Sequence, residues 1–478
     1  MSHRRRFALV AAACGAALTA PGAVGAETLA DAVALAYQSN PTLQAQRAQL
    51  RALDESYVQA RQGFRPSADA SGDVTYQNTS GPLDQESNSA SAGLSATQPL
   101  YTAGRVTNGV RAAEADILSG REQLRQIEAS VLLSVIQAYV DVRRDFQSLG
   151  IRQENVAVLN RQLEESRARF EVGEITRTDV AQSEARLASA QAQLHSASAQ
   201  LAISRSNYAA VVGQNPGDLE PEPELILPAD LDQAFDTAQQ VSPSIRSASF
   251  AEQASRSRVA QAKSDLGPTV GLRAQLGYSG ALDPLDRRDF SRTLTASAVV
   301  SQPLYAGGLR RSRIRQATEQ NTSDLIAIEG ARRDTLRQVS QSWNQLLAAR
   351  GNITSNEEQV RATRIAAEGV REEAAVGLRT TIEVLNAEQE LRNAQLLLVQ
   401  ARRDNYLASA SLLSAMGRLE ARNLLPGVPT YDPEESFRRV RRSGSVPWEP
   451  LVEKLDAVAS PAPPTRTPVG SETITAGE

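Results

Sequence analysis

The chain has 478 residues, a formal net charge of −4 and only 4% aromatic residues. That length admits several ordinary domains, but so few aromatics suit long solvated helices packed along narrow seams better than globular cores. The charge balance carries no basic excess that would call for a nucleic-acid partner.

In chain order, residues 1–26 read as a secretory signal. Arg4, Arg5 and Arg6 start it, Phe7 to Thr19 is a short apolar core, and Val24-Gly25-Ala26 offers small residues for cleavage. Cleavage removes three arginines and no acid, so the charge goes from −4 to −7. The apolar core is too short to span a membrane. Cys14, the single cysteine, lies inside it, so the mature chain is expected to hold no disulfide and no thiol metal site. The alternative, a lipidated Cys14, wants a bulky aliphatic residue three positions earlier, where Ala11 stands.

A first unit, 27–213, follows. Pro41 to Gly63 is helical in pattern, and two segments at about 67–77 and 88–98 then alternate with strict period two. In the first, Ala68, Ala70, Val74 and Tyr76 alternate with Ser and Asp; in the second, Ala90, Ala92, Leu94 and Ala96 alternate with Ser and Thr. The stretch QPLYTAG, Gln98 to Gly104, leads into a proline-free helix over 105–171, with apolar residues every seventh position: Val135, Val142, Leu149, Val156 and Leu163. Such spacing specifies a left-handed coiled coil. At about 1.5 Å per residue this helix is roughly 100 Å long, which an ordinary helical bundle, the alternative, accommodates poorly. After Val172-Gly173 a helix returns over 179–212, with Thr178 as its expected cap.

A proline-rich linker, 214–228, joins this unit to a second one, 229–417, that repeats it. Strands are expected at about 269–279 and 292–302, and helices over 308–375 and 381–416. QPLY recurs at Gln302 to Tyr305, and Val376-Gly377, Glu388, Leu391 and Gly417 all match first-unit residues at an offset of 204. An unchanged offset over more than a hundred residues marks a tandem repeat. At each QPLY the period changes from two to seven. Proline at 99 and 303 is expected to stop the sheet ladder, Tyr101 and Tyr305 suit a membrane–water boundary, and Gly104, Gly307 and Gly308 loosen the bend. The extension, 418–478, reads as largely disordered. Its basic run FRRVRR, Phe437 to Arg442, is a solvated tail or a contact for anionic surfaces.

Strands of about ten residues match a tilted bilayer crossing, and the chain has no other strands to build a second sheet over them. A lipid-facing sheet cannot leave its edges unpaired, and four strands are too few to close a barrel. Chains must therefore share one: eight strands from two chains would be filled by side chains, and twelve from three would leave a pore.

These features resemble the TolC-like outer-membrane channel-tunnels of Gram-negative bacteria, from about Thr28 to Pro429, most specifically in the two QPLY stretches and the two Val-Gly turns. The resemblance implies a homotrimer with a twelve-stranded barrel in the outer membrane and an α-helical tunnel across the periplasm. It also implies a periplasmic adaptor and an inner-membrane ABC or proton-driven transporter as partners. On it, Val172, Gly173, Val376, Gly377 and Leu378 are the adaptor-contact tip. It also places a closing lock at Arg379 and Asp179, beside Thr178, and a carboxylate ring at Glu383, with Asn386 where a second carboxylate is usual. A tyrosine of the usual lock is replaced by Ala374.

Nothing points to catalysis. The two histidines are His3, in the signal, and His195, in a helix, and no phosphate loop, zinc motif or nucleophile elbow occurs. No cofactor or metal is expected. The reading is an export channel, serving type I protein secretion ahead of multidrug or small-molecule efflux. A periplasm-spanning structural coiled coil would explain the helices but not four matched amphipathic strands.

Overall fold

The computed structural model describes residues 26–81, 85–282, 290–424, 431–458 and 460–464. Residues 1–25 of the expected signal, Cys14 among them, lie outside these residues. Two helices open the chain, α1 (Leu29–Ser39) and α2 (Pro41–Arg61), followed by strands β1 (Ser67–Thr79) and β2 (Gln85–Tyr101). The 67-residue helix α3 (Arg105–Glu171) and its return α4 (Arg177–Val212) complete the first repeat. The second repeats the order: α5 (Leu231–Val241), α6 (Pro243–Ser264), β3 (Thr269–Ala281), β4 (Ser291–Ser301), α7 (Leu309–Ala375) and α8 (Thr381–Ala415). Three short helices follow among the described residues, α9 (Ala421–Leu424), α10 (Pro433–Val440) and α11 (Glu449–Ala457).

The strands form one antiparallel sheet in the order β1-β2-β3-β4, with the outer edges of β1 and β4 unpaired among the described residues. Register puts Ala70, Leu94, Leu276 and Leu294 in one row across all four strands, and Asp69, Ser95, Gln275 and Thr295 in the next. Alternation in sequence thus becomes one apolar and one polar face. The apolar face is open: Val74, Leu94 and Leu294 are well exposed in the single chain. Among the described residues no helix is long and apolar enough to cross a membrane.

Helices α2 and α4 both pack along α3, and Asn40 closes the junction between them, with the Ser39 hydroxyl beside it donating to the Val212 carbonyl (3.2 Å). Asn40 Oδ1 accepts from the backbone N–H groups of Thr42 and Leu43, capping α2, while its Nδ2 donates to the Val211 carbonyl at the end of α4 (3.1 Å). The largest buried cluster lies alongside, where Leu132, Val135, Ile136 and Tyr139 of α3 meet α1 and the ends of α4 and α8. Tyr139 donates to the carbonyls of Glu27 and Glu220, tying the start of the described chain to the linker.

At each elbow a glutamine side chain fastens the strand end. Gln98 Nε2 donates to the Phe64 carbonyl (3.0 Å) and Gln302 Nε2 to the Leu266 carbonyl (3.0 Å). A left-handed glycine then opens the long helix, Gly104 at φ 80° and Gly308 at φ 84°. Pro303 lies beyond the end of β4, but Pro99 does not stop β2. The strand shifts register there and goes on to pair Tyr101 with Val270. A bulge takes the missing N–H out of the ladder, so the strand can continue past a proline.

The expectation of a largely disordered extension is corrected for the described part of it. Residues 425–430 and 465–478 lie outside the described residues, but α10 and α11 are folded against α2 and the first elbow. Phe437, in the basic run, packs edge-on against Tyr57 (5.1 Å between ring centres). Glu449, 2% exposed, bridges Arg61 (2.7 Å) and Arg65 (3.2 Å). Asp456 is 1% exposed and accepts from the backbone N–H groups of Thr102, Gly104 and Thr107 and from both threonine hydroxyls. It supplies the N-terminal cap that Gly104 cannot give α3. The start signature was present in Asp432-Pro433-Glu434-Glu435, a capping residue, a proline at the first helical position and acids in the first turn.

Candidate functional site

The ends of the two long hairpins are built alike. Helix α3 stops at Val172 and Gly173 (φ 79°), and α7 at Val376 and Gly377 (φ 81°). Glycine takes the left-handed conformation there without the cost a Cβ would bring. The reversed chain is closed by a backbone bond in each case: Glu174 N–H to the Arg169 carbonyl, and Leu378 N–H to the Glu373 carbonyl, both 2.9 Å. Val172 (71% exposed), Val376 (71%) and Leu378 (75%) stand out from the tips.

The return helices start on a threonine and an acid three residues on. In the first tip the cap is Thr176, not Thr178. Thr176 Oγ1 accepts from the Asp179 N–H (3.3 Å), and Asp179 Oδ2 accepts from the Thr176 N–H (2.9 Å) and hydroxyl (2.8 Å). The reason is reciprocity: an acid stands three residues after Thr176, whereas Ala181, three after Thr178, cannot close the box. Thr178 is left exposed. In the second tip Glu383 Oε2 accepts from the Thr380 N–H (2.9 Å) and hydroxyl (2.8 Å).

Asp179 and Glu383 therefore hold the same position in the two repeats, 204 residues apart. The Thr176 hydroxyl and N–H hold the Asp179 carboxyl below its ordinary value. Glu383 is pulled down to about 2 by the Thr380 N–H first, then the Thr380 hydroxyl and Arg379.

The tips differ in their charge pairs. Arg169 reaches forward to Glu174 (3.1 Å) in the first. In the second, Arg379 reaches back to Glu373 (2.7 Å) and forward to Glu383 (2.9 Å). Arg379 and Glu383 are thus brought together, but Arg379 and Asp179 are not. Within one chain the arginine is committed to its own hairpin, and the aspartate to its own cap. Ala374, at the missing tyrosine, gives only its carbonyl, which accepts from the Gly377 N–H. Asn386 accepts from Arg186 Nη2 (2.8 Å), a contact between α8 and α4 that sequence spacing alone does not reveal. His195 is exposed, and among the described residues no group of His, Cys, Asp and Glu could hold a metal.

The profile of the family described as "Outer membrane efflux protein" matches residues 32–214 and 234–418, one match on each repeat. "Outer membrane efflux protein BepC" of Brucella suis is 35% identical over 437 residues, spanning 91% of this chain and 95% of its own. "Alkaline protease secretion protein AprF" of Pseudomonas aeruginosa is 27% identical over 74% of this chain and 75% of its own. "Outer membrane protein TolC" of Escherichia coli is 26% identical over 84% of each chain. The solved Campylobacter jejuni CmeC outer membrane channel has a TM-score of 0.72 over 86% of this chain and 89% of its own, at 14% identity, a likeness of fold alone. With both repeats matched and BepC alike over nearly its whole length, this chain belongs to the outer membrane efflux protein family of outer-membrane channels.

Proposed function

We propose that this channel is the exit duct for proteins exported by a type I route, with its hairpin tips docking a periplasmic adaptor below which an inner-membrane ABC transporter supplies the energy. Members of the family work as trimeric channels with adaptors and inner-membrane transporters. The observation that carries the docking role is the apolar set Val172, Val376 and Leu378 at two matching tips, each largely exposed in the single chain. Relatives named for protease secretion support protein as cargo. Small-molecule efflux is the second reading, favoured by the printed name of the 35% identical relative. Deleting the gene and assaying one exported protein beside drug sensitivity separates them. Loss of the protein with unchanged drug sensitivity supports secretion, and the reverse result sinks it.

In this reading Arg379 is the movable part of the gate. It pairs within its hairpin in the isolated chain and exchanges Glu373 or Glu383 for Asp179 when the three tips converge. The Glu383 carboxylates, capped and charged, face the constriction and favour cations; Asn386 at the next ring position makes that preference weaker. We expect Arg379→Ser to raise single-channel conductance in planar bilayers. A conductance equal to that of the parent would remove Arg379 from the gate.

A further inference from the structure

The helices α10 and α11 carry two features that the channel reading leaves unused, and both lie at one level of the molecule. Trp448 Nε1 donates to the Gln98 side chain (3.1 Å). Gln98 pairs with Leu272 and stands two residues beyond Ala96, in the apolar file that includes Leu94. The start of α11 therefore lies on the lipid-facing side of the sheet, at the rim where β1 begins and β2 ends. From there Trp448, Leu451, Leu455 and Val458 form a stripe at spacings of three, four and three, each between 45% and 64% exposed. Val452 and Asp456, on the other side of α11, are buried against the elbow. An amphipathic helix with a tryptophan at its head, beside a lipid-facing sheet, has the form of an interfacial helix.

Next to the stripe is a cleft of ≈ 860 Å³ lined by Arg61, Arg65, Arg438, Arg441 and Arg442, with Glu449 as its one carboxylate. Glu449 is consumed by Arg61 and Arg65. Arg438 pairs with Asp432 (3.0 Å), but among the described residues Arg441 and Arg442 make no ion pair. Arg65 is 8% exposed, with Nε on Glu449 and Nη1 on the Ser443 carbonyl, and its Nη2 has no partner among the described residues. A buried guanidinium N–H without an acceptor is costly, and Arg65 is one of five arginines around a cleft whose remaining lining, Glu449 apart, is Ser445, Val446, Pro447 and Pro450. A ligand carrying negative charge offsets that excess of arginine.

We propose that α10 and α11 form a peripheral anchor for the periplasmic leaflet of the outer membrane. The Trp448–Val458 stripe seats at the headgroup–acyl boundary, and the arginine cleft takes the phosphate of an anionic phospholipid. Continuity with the apolar sheet face selects lipid as the occupant, since the stripe extends a surface that already faces hydrocarbon. The arginines then meet headgroups at the level where anionic lipid attracts basic segments.

Trp448 reports on this directly. The chain has two tryptophans, so Trp343→Phe leaves Trp448 alone. The full-length trimer, reconstituted in phosphatidylethanolamine–phosphatidylglycerol vesicles, should lose most Trp448 emission when the acyl chains are brominated close to the headgroup. Native mass spectrometry should show phosphatidylglycerol retained over phosphatidylcholine. Arg441→Gln/Arg442→Gln should reduce that preference about fivefold per arginine, and excess inorganic phosphate should not compete. Unquenched emission from an intact trimer would mean the stripe faces a second copy or water and would overturn the anchor. Equal retention of the two lipids, or displacement by inorganic phosphate, would overturn the headgroup site.

Discussion

The elbow at Gln98–Gly104 and the elbow at Gln302–Gly308 share Gln-Pro-Leu-Tyr and a left-handed glycine before a 67-residue helix, yet they live in different surroundings. Thr102 is buried under α11, Ala103 is buried beside Gly267 and Leu100 is half-buried, while Leu304 and Tyr305 are 92% and 90% exposed in the single chain. Gly307 turns at φ 56°, and its counterpart Ala103 takes φ 55° without being glycine. The backbone path is thus local, set by the same few residues twice. The support is remote: the first bend is held by a segment about 350 residues later in the chain, and the second is left for whatever the assembled channel brings to it.

Three changes break or sharpen that contrast. The largest effect is expected from Asp456→Ala, which orphans the N–H groups of Thr102, Gly104 and Thr107 at a buried helix start and costs about 3 kcal/mol. Hydrogen exchange at Val106, Thr107 and Asn108 should accelerate, while the start of α7, which has no such cap, stays as it was. Equal acceleration at both starts would mean the cap is not local.

Next comes Glu449. Burial alone would push its carboxyl up, but Arg61 and Arg65 outweigh it and hold the group below its ordinary 4.5. A depressed carboxyl contributes stability that is complete above the ordinary value and is lost as pH falls through the depressed one. Acidification below 4.5 should therefore release α11 before the long helices respond. Glu449→Gln should do the same at neutral pH, for about 2 kcal/mol. Trp448 emission follows both, and an emission flat across the acid range would remove the bridge as the fastening.

The smallest effect is Ala103→Gly. It relieves a left-handed alanine at the expense of a looser unfolded chain, for a net gain of about 0.5 kcal/mol. Gly307→Ala in the bare elbow should cost stability instead, and the pair of denaturation midpoints checks both signs.

The architecture was legible because its signals are periodic. Alternation at Ala90, Ala92 and Leu94 and heptads from Val135 to Leu163 need only the chain's own geometry to be read. What escaped depends on partners distant in sequence. Asp456 looks like any surface acid until Thr102 and Thr107 are placed beside it, and FRRVRR looks solvated until Phe437 meets Tyr57. The choice between Thr176 and Thr178 was readable, but only by asking which threonine has an acid three residues on. The arginine lock lies between these cases: both residues sit in the tips, and within one chain each is satisfied by its own turn.

The unpaired outer edges of β1 and β4 have a genetic consequence. Each subunit furnishes one arc of the wall, so a copy with a faulty edge spoils a ring that also contains sound copies. In a cell making the two kinds equally and mixing them freely, only about one ring in eight would be free of the faulty copy. An edge-strand lesion in this gene should therefore act dominantly, whereas a lesion that prevents the chain from folding at all, and so from joining any ring, should be recessive.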